Sequence, residues 1–330
     1  MHVLIIGAAG MIGRKLTERL AREGKLAGRQ ITALSLIDVT PPEKPAGFGG
    51  KVSLATLDIA DPGAVAPHVA ARPDIVFDLA AVVSGEAEAD FDKGYRINLD
   101  GTRNLIEAIR HEGKTPYRPR MVFTSSVAVF GAPFPPLIGD EFFSTPLTSY
   151  GTQKAICELL IADYSRRGFL DGISIRLPTI CIRPGKPNKA ASGFFSNIMR
   201  EPLVGQEAVL PVAEDVRHWV ASPRAAVGFL VHAAELDSAP LGARRALTMP
   251  GLSATIAEQI EALRRVGGDK AVKLVRREPD TVIATMVAGW PSAFDAKRAL
   301  ALGFRPDASF DDIVRIHVEE ELGGRVPVLQ

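Results

Sequence analysis

Tyr150 and Lys154 are the two side chains whose types and spacing suggest chemistry most directly. They open a segment with a helical pattern, S-Y-G-T-Q-K-A-I-C-E-L-L, and residues four apart project from the same face of a helix. A phenol in water has a pKa of about 10, so a tyrosine base working near pH 7 needs stabilisation worth about 3 units, or roughly 4 kcal/mol. A lysine ammonium beside the phenol in a desolvated cleft would supply part of it. The same pair on an open surface would have no such role, so its position in the fold decides its function.

A serine stands before this pair at the end of an apolar run. Residues 121–124 predict a strand, and Ser125 and Ser126 follow at its carboxyl end. If the next helix begins near Tyr150, a strand-end serine meets the tyrosine and the lysine at one edge of the sheet. Ser126 would then hydrogen-bond the substrate oxygen and hold it near the phenol. We therefore predict Ser126, Tyr150 and Lys154 as the catalytic group.

The elements that would position these residues alternate between strand and helix patterns. Strands are predicted at 3–6, 31–37, 52–57, 75–79, 121–124 and 173–177, with helical patterns between them. Continuous apolar strands separated by helices favour a parallel sheet covered on both faces. The predicted fold class is α/β, a Rossmann-type doubly wound parallel sheet with a smaller C-terminal α+β domain. We assign 1–181 and 216–253 to the domain of the large sheet, and 182–215 and 254–330 to the smaller domain, which would bind the substrate.

A glycine-rich segment lies between the first predicted strand and the first predicted helix. Gly7, Gly10 and Gly13 occur in G-A-A-G-M-I-G, a spacing that lets the backbone turn tightly and approach a pyrophosphate at the helix N-terminus. We predict that this loop, with Met11 and Ile12, binds a dinucleotide. The alternative is a purely structural turn, but the strand before the glycines and the helix after them favour the dinucleotide.

Asp38 ends the second predicted strand and indicates which dinucleotide is bound. An acidic residue at this point hydrogen-bonds the adenosine ribose and repels a 2′-phosphate. Val39 and Thr40 follow, so no arginine stands next in the chain to hold such a phosphate. The sequence predicts NAD rather than NADP, although an ordinary strand-end aspartate is the alternative.

Other residues near strand ends fit the same ligand, because open α/β sheets bind ligands at the carboxyl ends of their strands. The Asp58 carboxylate could meet the adenine amino group. Asn98 is expected to open the next helix, where its alternative role is an N-cap. Tyr150 and Lys154 would lie by the nicotinamide, with Lys154 reaching its ribose. The remaining predicted cofactor contacts at the third and fourth strands are Ile59, Leu79, Ala80 and Ala81.

Composition excludes several other classes of function. The net charge is +1, with 46% apolar and 23% charged residues, so no global field would attract nucleic acid or an anionic membrane. No stretch approaches the roughly 20 apolar residues that a membrane span needs, and the N-terminus lacks the basic region of a signal peptide. The six histidines and two cysteines show no ligand spacing, so no metal is expected. We expect a cytoplasmic protein.

The chain resembles a known family, the extended short-chain dehydrogenases/reductases. The resemblance covers most of the chain and implies a Rossmann-type domain, a Ser–Tyr–Lys catalytic group, NAD at the cofactor site including Pro178 and Thr179, and a homodimer formed by helices near 98–112 and 148–166. Two departures stand out: D-L-A-A where many members have a histidine before the alanines, and Arg217-His218-Trp219 where sugar-nucleotide epimerases often have Arg-Asp and an aromatic. The matching residues, in chain order, are Gly7, Gly10, Gly13, Asp38, Asp58, Asn98, Ser125-Ser126, Tyr150-x-x-x-Lys154 and Leu177-Pro178-Thr179.

Within that family the chain is most similar to dehydrogenases of a four-carbon sugar acid. The similarity is carried by A-A-V-V-S-G-E-A-E-A-D-F and S-G-F-F-S-N-I-M-R-E-P-L-V-G, and it implies NAD-dependent oxidation of the C2 hydroxyl to a 2-oxo acid. Such a substrate needs a cation for its carboxylate. The candidates are Arg183 and Arg217, with Lys186 and Lys189 less favoured; Ser84 could line the opposite wall, and Thr179 could meet either the substrate or the nicotinamide carboxamide.

Three functions remain open on the sequence alone. A sugar-acid dehydrogenase leads; a nucleotide-sugar 4-epimerase, or a uronate dehydrogenase of the same family, is the alternative. A dehydratase is disfavoured because Val127, Ala128, Val129 and Phe130 after the serine offer no carboxylate. A non-enzymatic NAD sensor would typically lack the tyrosine or the lysine, and this chain has both.

Overall fold

The structure is a computed structural model that describes residues 1–113, 116–185 and 192–329. The strands are β1 (His2–Ile6), β2 (Lys25–Leu26), β3 (Arg29–Gln30), β4 (Ala33–Asp38), β5 (Lys51–Thr56), β6 (Ile75–Asp78), β7 (Arg120–Ser126), β8 (Ile138–Gly139), β9 (Asp171–Leu177), β10 (Thr179–Ile180), β11 (Ala208–Leu210), β12 (Arg217–Ala221), β13 (Ala246–Thr248), β14 (Leu252–Thr255), β15 (Val275–Arg277) and β16 (Phe294–Asp295).

The helices lie between these strands and after them. They are α1 (Met11–Glu23), α2 (Ala66–Ala70), α3 (Ser84–Ala89), α4 (Phe91–Gly94), α5 (Thr102–Glu112), α6 (Ser149–Arg166), α7 (Gly193–Leu203), α8 (Pro223–Glu235), α9 (Ile256–Val272), α10 (Thr281–Ala288), α11 (Lys297–Ala301) and α12 (Phe310–Glu321), with a π-helical turn at Tyr95–Gly101 and 3-10 turns at Val127–Val129, Ala239–Leu241 and Pro327–Leu329.

The chain divides into two compact units, and the first contains the large sheet. This unit comprises Met1–Val129, Pro146–Leu177 and Val227–Thr248. Its seven strands have the order β13-β9-β7-β6-β1-β4-β5, and every neighbouring pair is parallel. The strand order reverses direction at β1, the topological switch point where such sheets bind ligands. The predicted Rossmann-type parallel sheet is confirmed.

The central strands of the sheet are largely apolar and buried, whereas the edge strand β5 is mostly exposed. Leu4, Ile6 and Phe77 are fully buried, as expected for strands covered on both faces. Helix α1 adds Leu16 and Leu20, four residues apart and fully buried. The predicted strands agree with the observed ones to within a few residues, and β13 adds a further parallel strand beside β9.

The second, smaller unit comprises Phe130–Thr145, Pro178–Ala226 and Met249–Gln330. It combines short sheets, β10-β12-β14, β11-β15 and β16-β8, with helices that share an apolar core. That core includes Phe195 and Met199 of α7, Leu263 of α9 and Ile313 of α12. The unit is therefore a mixture of helices and strands, as predicted for the smaller domain.

The boundaries between the units differ from the predicted ones at four segments. Residues 178–181, 216–226 and 249–253 were assigned to the domain of the large sheet, but β12 pairs with β10 and β14 instead of joining that sheet. Residues 130–145 also belong to the second unit, because β8 pairs with β16. These pairings join strands far apart in the chain, which local sequence patterns do not encode.

Over residues 1–113, 116–185 and 192–329, no helix combines the length and apolar character that crossing a membrane requires.

Candidate active site

The loop between β1 and α1 has a backbone that only glycine allows at two positions. Gly7 has φ +85°, and a Cβ atom there would lie 2.8 Å from the backbone nitrogen of Ala80. A Cβ atom on Gly13 would overlap the carbonyl oxygen of Gly7. Glycine is required because the loop approaches the end of β6 and the first turn of α1 packs on the loop. This is the close backbone approach predicted for a dinucleotide loop.

The N-terminus of α1 is open to an anion. Its N-cap residue is Gly10, no side chain caps it, and its first turn, which begins with Met11 and Ile12, contains no acidic residue. The first N–H groups of a helix have no partner within the helix and carry partial positive charge. A pyrophosphate fits this arrangement, because nothing on the helix itself satisfies or repels it.

Asp38 lies at the end of β4, next to the glycine loop. Its carboxylate accepts hydrogen bonds from the backbone N–H of Ala9, at 2.9 Å, and of Thr40, at 3.1 Å. These contacts fix the carboxylate at the strand end while the residue stays half-exposed. The position suits a hydrogen bond to an adenosine ribose, and Asp38 stays a predicted NAD contact.

The next strand ends hold the other predicted cofactor residues of the first unit. Asp58 pairs with Arg96 at 2.8 Å and accepts from the backbone of Ala60 at 2.9 Å, so its carboxylate is partly neutralised. Ile59 is buried, while Leu79 and Ala80 line the approach to Gly7, and Ala81 is exposed.

Asn98 does not open a helix as predicted, and the N-cap alternative is also wrong. It lies inside the π-helical turn Tyr95–Gly101 that leads into α5. Its amide oxygen accepts from the backbone N–H of Val82 at 2.8 Å, and its nitrogen donates to the side chain of Gln153 at 2.8 Å. Asn98 therefore ties the segment after β6 to α6.

The start of α6, which carries Tyr150, packs against the turn that follows Ser126. The helix is capped by Thr148, whose side chain accepts from the backbone N–H of Gly151 at 3.1 Å. A Cβ atom on Gly151 would overlap the carbonyl oxygen of Ala128, so the helix start packs directly on the turn that follows Ser126. The first turn of α6, which carries Tyr150, thus lies beside the carboxyl end of β7.

Lys154 is buried, so the interpretation of the pair as a surface feature is wrong for the lysine. Its side chain is 1% exposed, and its ammonium donates to the carbonyl oxygen of Thr124 at 2.8 Å. The nitrogen lies 4.5 Å from the ring centre of Phe123 and 5.8 Å from that of Tyr150. A buried positive charge so close to a phenol stabilises the phenolate form.

The two consecutive serines have different surroundings. Ser125 is buried and donates to Glu158, which forms an ion pair with Arg176 at 2.7 Å. Ser126 is half-buried, and within the described part of the chain its oxygen accepts one local hydrogen bond, from the backbone N–H of Ala128 at 3.1 Å. Its hydroxyl hydrogen therefore stays available to a substrate oxygen, which agrees with the choice of Ser126.

The sequence assigned no role to Asp78, the last residue of β6. It is fully buried; one carboxylate oxygen accepts from the Thr102 hydroxyl at 3.0 Å, and the other has no hydrogen-bond partner among the described residues. Burial raises the pKa of this carboxyl to about 6, and the nearby Lys154 charge opposes the rise. The available signal was the departure of D-L-A-A from the family pattern.

The second unit holds Pro178 and Thr179, together with a histidine given no role in the sequence analysis. The Thr179 hydroxyl lies 2.7 Å from Nε2 of His218. His218 is 2% exposed and stacks on Phe195, with ring centres 4.6 Å apart. Burial lowers the pKa of His218 to about 3, and the Arg183 charge adds to the effect. The imidazole is therefore neutral at physiological pH and can orient the Thr179 hydroxyl.

The candidate carboxylate-binding residues also have partners of their own. Arg183 donates to the carbonyl oxygen of Ile180 at 3.0 Å and to Ser192 at 3.1 Å. Arg217 is 42% exposed, with Glu258 at 3.5 Å, and it donates to the carbonyl oxygen of Ser253 at 2.7 Å. Lys186 and Lys189 lie outside the described residues.

The first unit brings together the glycine loop, Asp38, Asp58, Ser126, Tyr150 and Lys154 at the carboxyl ends of its strands. Ser84 begins α3 in the same unit, whereas Pro178, Thr179, Arg183 and Arg217 belong to the second unit. No cluster of side chains that could hold a metal ion occurs within the described ranges.

Comparison with known proteins identifies the family. The sequence model of the family described as NAD dependent epimerase/dehydratase matches residues 3–241. The chain belongs to this family. Membership confirms the resemblance found in the sequence, identifies the protein as an enzyme, and supports NAD as its cofactor.

Two curated members of the family are similar over nearly their whole length. D-erythronate dehydrogenase of Cupriavidus necator is 49% identical over 97% of this chain and 98% of its own length. The D-erythronate dehydrogenase of Haemophilus influenzae is 42% identical over 98% of this chain and 100% of its own length.

Solved structures agree on the fold and carry different activity names. The crystal structure of a nucleoside-diphosphate-sugar epimerase from Agrobacterium tumefaciens is 66% identical, with a TM-score of 0.97 over 99% of this chain and 96% of that one. An L-threonine dehydrogenase from Clostridium difficile, at 21% identity and a TM-score of 0.83 over 98% of each chain, shares the fold.

Proposed function

We propose that this protein is an NAD-dependent dehydrogenase that oxidises the C2 hydroxyl of a small sugar acid, converting D-erythronate to 2-oxo-D-erythronate. The observation that carries the proposal is the similarity to two D-erythronate dehydrogenases at 49% and 42% identity over nearly the full length of all three chains. The buried Lys154 beside Tyr150 is consistent with it, because oxidation of an alcohol requires a base for the hydroxyl proton.

In the proposed mechanism, Tyr150 acts as the general base. Its phenolate takes the proton of the C2 hydroxyl while the C2 hydrogen leaves as hydride, so the carbon loses two electrons and becomes a carbonyl. The Lys154 ammonium stabilises the phenolate. Ser126 donates a hydrogen bond to the same substrate oxygen and holds it against the phenol. Bound NAD would supply the hydride acceptor.

The cofactor would be held by the first unit. The N-terminus of α1 and the glycine loop would bind the pyrophosphate, and Asp38 would accept hydrogen bonds from the adenosine ribose. Asp58, Ile59, Leu79, Ala80 and Ala81 would surround the adenosine half. Asn98 would act indirectly, because its amide already holds the Val82 backbone and Gln153.

The substrate carboxylate needs a cation, and Arg217 is the stronger of the two candidates. Arg217 is 42% exposed and its carboxylate partner lies at 3.5 Å, whereas the guanidinium of Arg183 is half-buried and bridges Ile180 and Ser192. Thr179, oriented by His218, and Ser84 are proposed to contact substrate hydroxyls.

A second candidate function is a nucleotide-sugar epimerase. It is favoured by one observation, the name of the Agrobacterium structure that shares 66% of its residues with this chain. An epimerase uses the same tyrosine base but returns the hydride to the substrate, so it produces no net NADH. A uronate dehydrogenase would accumulate NADH from a longer sugar acid.

The test is NADH formation, followed by absorbance, with NAD and a panel of D-erythronate, longer aldonic acids, uronic acids and UDP-sugars. We expect reduction with D-erythronate, and a loss of about 10²- to 10⁴-fold in Tyr150→Phe. Tyr117→Phe is the matched control, because that hydroxyl donates to the Pro73 carbonyl at 3.0 Å. Conversion of a UDP-sugar without net NADH would assign the protein to the epimerases instead.

We also propose that the enzyme is a homodimer and works in the cytoplasm. The interface implied by the family resemblance uses α5 and α6, and the side chain of Leu159 on α6 is 73% exposed. The cytoplasmic proposal fits two free, buried cysteines, Cys157 and Cys181, since reducing compartments keep thiols free.

A further inference from the structure

A buried acidic residue at the end of β6 has no role in the mechanism above. Asp78 is fully buried at the end of β6, and one of its carboxylate oxygens has no hydrogen-bond partner among the described residues. A buried carboxylate that is only half satisfied is unfavourable unless another interaction compensates for it. The surrounding charges identify that interaction.

Lys154 is the compensating group. Asp78 stands opposite Phe123 in the register of β6 and β7, Lys154 is itself 1% exposed, and the charge of Lys154 acts to lower the pKa of Asp78. Among the described residues, the close partners of the lysine nitrogen are the Thr124 carbonyl oxygen, at 2.8 Å, and the Phe123 ring, at 4.5 Å. Neither carries a formal charge, so an ammonium buried among them requires a counter-charge nearby to remain protonated.

The remaining groups around Asp78 do not replace this counter-charge. Thr102 of α5 donates a neutral hydrogen bond at 3.0 Å. Cys157 of α6 interacts with both Asp78 and Lys154, and burial raises the pKa of its thiol to about 12, so it is uncharged. Glu158 points to Ser125 and Arg176. Asp78 is the buried anion that faces the lysine.

We propose that Asp78 is a positioning residue that holds Lys154 charged beneath Tyr150 and thereby sets the pH range of the reaction. It touches neither substrate nor cofactor in this role; it acts through the lysine. The proposal rests on the function assigned above to Tyr150 and Lys154, but its consequence is electrostatic and can be measured without any substrate.

The expected signature follows from the sign of the charge. Removing a negative charge makes every neighbouring group lose its proton more readily. In Asp78→Asn, both the phenol titration and the loss of the lysine proton therefore move to lower pH, by roughly half a unit to one unit. The pKa of Asp78 is raised to about 6, so below that pH the wild-type carboxyl is itself uncharged. The difference in the phenolate fraction of Tyr150 between the wild type and Asp78→Asn should then disappear.

The experiment compares the wild type and Asp78→Asn in two ways. The first is the ultraviolet absorbance of phenolate in the free protein, with Tyr150→Phe in each background subtracted to isolate Tyr150. The second is the pH dependence of kcat/KM on the substrate found active. Movement of the phenolate titration to lower pH supports the proposal, even if the substrate proves to be a nucleotide sugar.

Thr102→Val is the matched control, since it removes the neutral hydrogen bond to the same carboxylate and keeps the charge of Asp78. In Thr102→Val, the phenolate titration of Tyr150 above pH 6 should have the same midpoint as in the wild type. Asp78→His is the second variant, in case the asparagine protein folds poorly, and it should move the titration in the same direction. A folded Asp78→Asn or Asp78→His protein with an unmoved titration would overturn the proposal, whatever happened to its rate.

Discussion

Burial changes what single side chains of this protein can do. Lys154 and Asp78 are both buried, and each is suited to a role that it would lack on the surface. The same holds for His218, whose pKa is lowered to about 3 by burial, so it orients Thr179 as a neutral ring. Residue types alone do not reveal these protonation states, because the states depend on how far the surrounding protein excludes water from each side chain.

Asp38 should determine the preference for NAD. In Asp38→Ala, the hydrogen bonds to the adenosine ribose and the repulsion of a 2′-phosphate are both lost, so the ratio of kcat/KM for NAD over NADP should fall about tenfold or more. Initial rates with each cofactor measure the ratio. Glu43 is an exposed acidic residue beyond β4, so Glu43→Gln should keep the wild-type ratio. An unchanged ratio in Asp38→Ala would refute the role of Asp38 in binding the adenosine ribose.

Asp78 should make the protein less stable as the pH rises. Its folded pKa, about 6, lies above the ordinary value of 3.8, so the stability associated with its protonated form is present below pH 4 and lost as the pH rises through about 6. Two pK units correspond to roughly 3 kcal/mol. Urea unfolding should find Asp78→Asn more stable than the wild type at pH 8, with the advantage gone at pH 4.

The pKa of Asp74 is shifted in the opposite direction from that of Asp78. Burial would raise the pKa of Asp74, but hydrogen bonds from the His2 backbone and from Arg29 outweigh burial, and the net shift is downward. Asp74→Asn should therefore reduce stability at neutral pH. If both variants change stability in the same direction, the burial argument for Asp78 fails.

At the scale of elements, the start of α6 decides where Tyr150, the proposed base, lies. Gly151 allows the helix to pack on the Val127–Val129 turn, since a Cβ atom there would overlap the Ala128 carbonyl oxygen. The parallel sheet supplies the other half of the arrangement, because β6 and β7 end side by side. Tyr150, Ser126 and Asp78 thus come from three elements that meet at one edge.

Gly151→Ala should displace the start of α6 and lower kcat by about 10- to 100-fold, because small misplacements of catalytic groups have effects of this size. Steady-state kinetics would separate the effect on kcat from that on KM. Gly49→Ala is the matched control, since open space surrounds Gly49 and its φ is not positive. Wild-type kcat in Gly151→Ala would show that the close packing does not position Tyr150.

At the scale of the whole molecule, the proposed assembly depends on an exposed apolar side chain. Leu159 of α6 is 73% exposed, although α6 otherwise contributes buried residues such as Ile161 to the core of the first unit. Leu159→Glu places a charge at the centre of the predicted helical interface, where its desolvation is unfavourable. We expect sedimentation velocity to show a dimer for the wild type and a monomer for this variant.

Leu300→Glu is the control for that experiment, because Leu300 is an exposed leucine, 40% accessible, on α11 of the second unit. It should leave the dimer intact. A wild-type monomer, or a Leu159→Glu protein that remains dimeric, would refute the proposed interface.

The sequence by itself determined the alternation of strands and helices in the large sheet and the glycine loop, and it led to the prediction of Ser126, Tyr150 and Lys154 as the catalytic group. These features are local: strand and helix periods, and glycines required by a tight turn, are visible within short windows. The family assignment followed from the same residues in order.

Only the tertiary structure decided which of these residues are buried and what each one contacts. It separated the roles of Ser125 and Ser126, put Asn98 inside a π-helical turn, moved β12 into the second unit, and placed Asp78 within electrostatic reach of Lys154. Asp78 and Lys154 are far apart in the chain. Their interaction arises from packing, which removes water and joins distant elements, and short sequence patterns do not specify that packing.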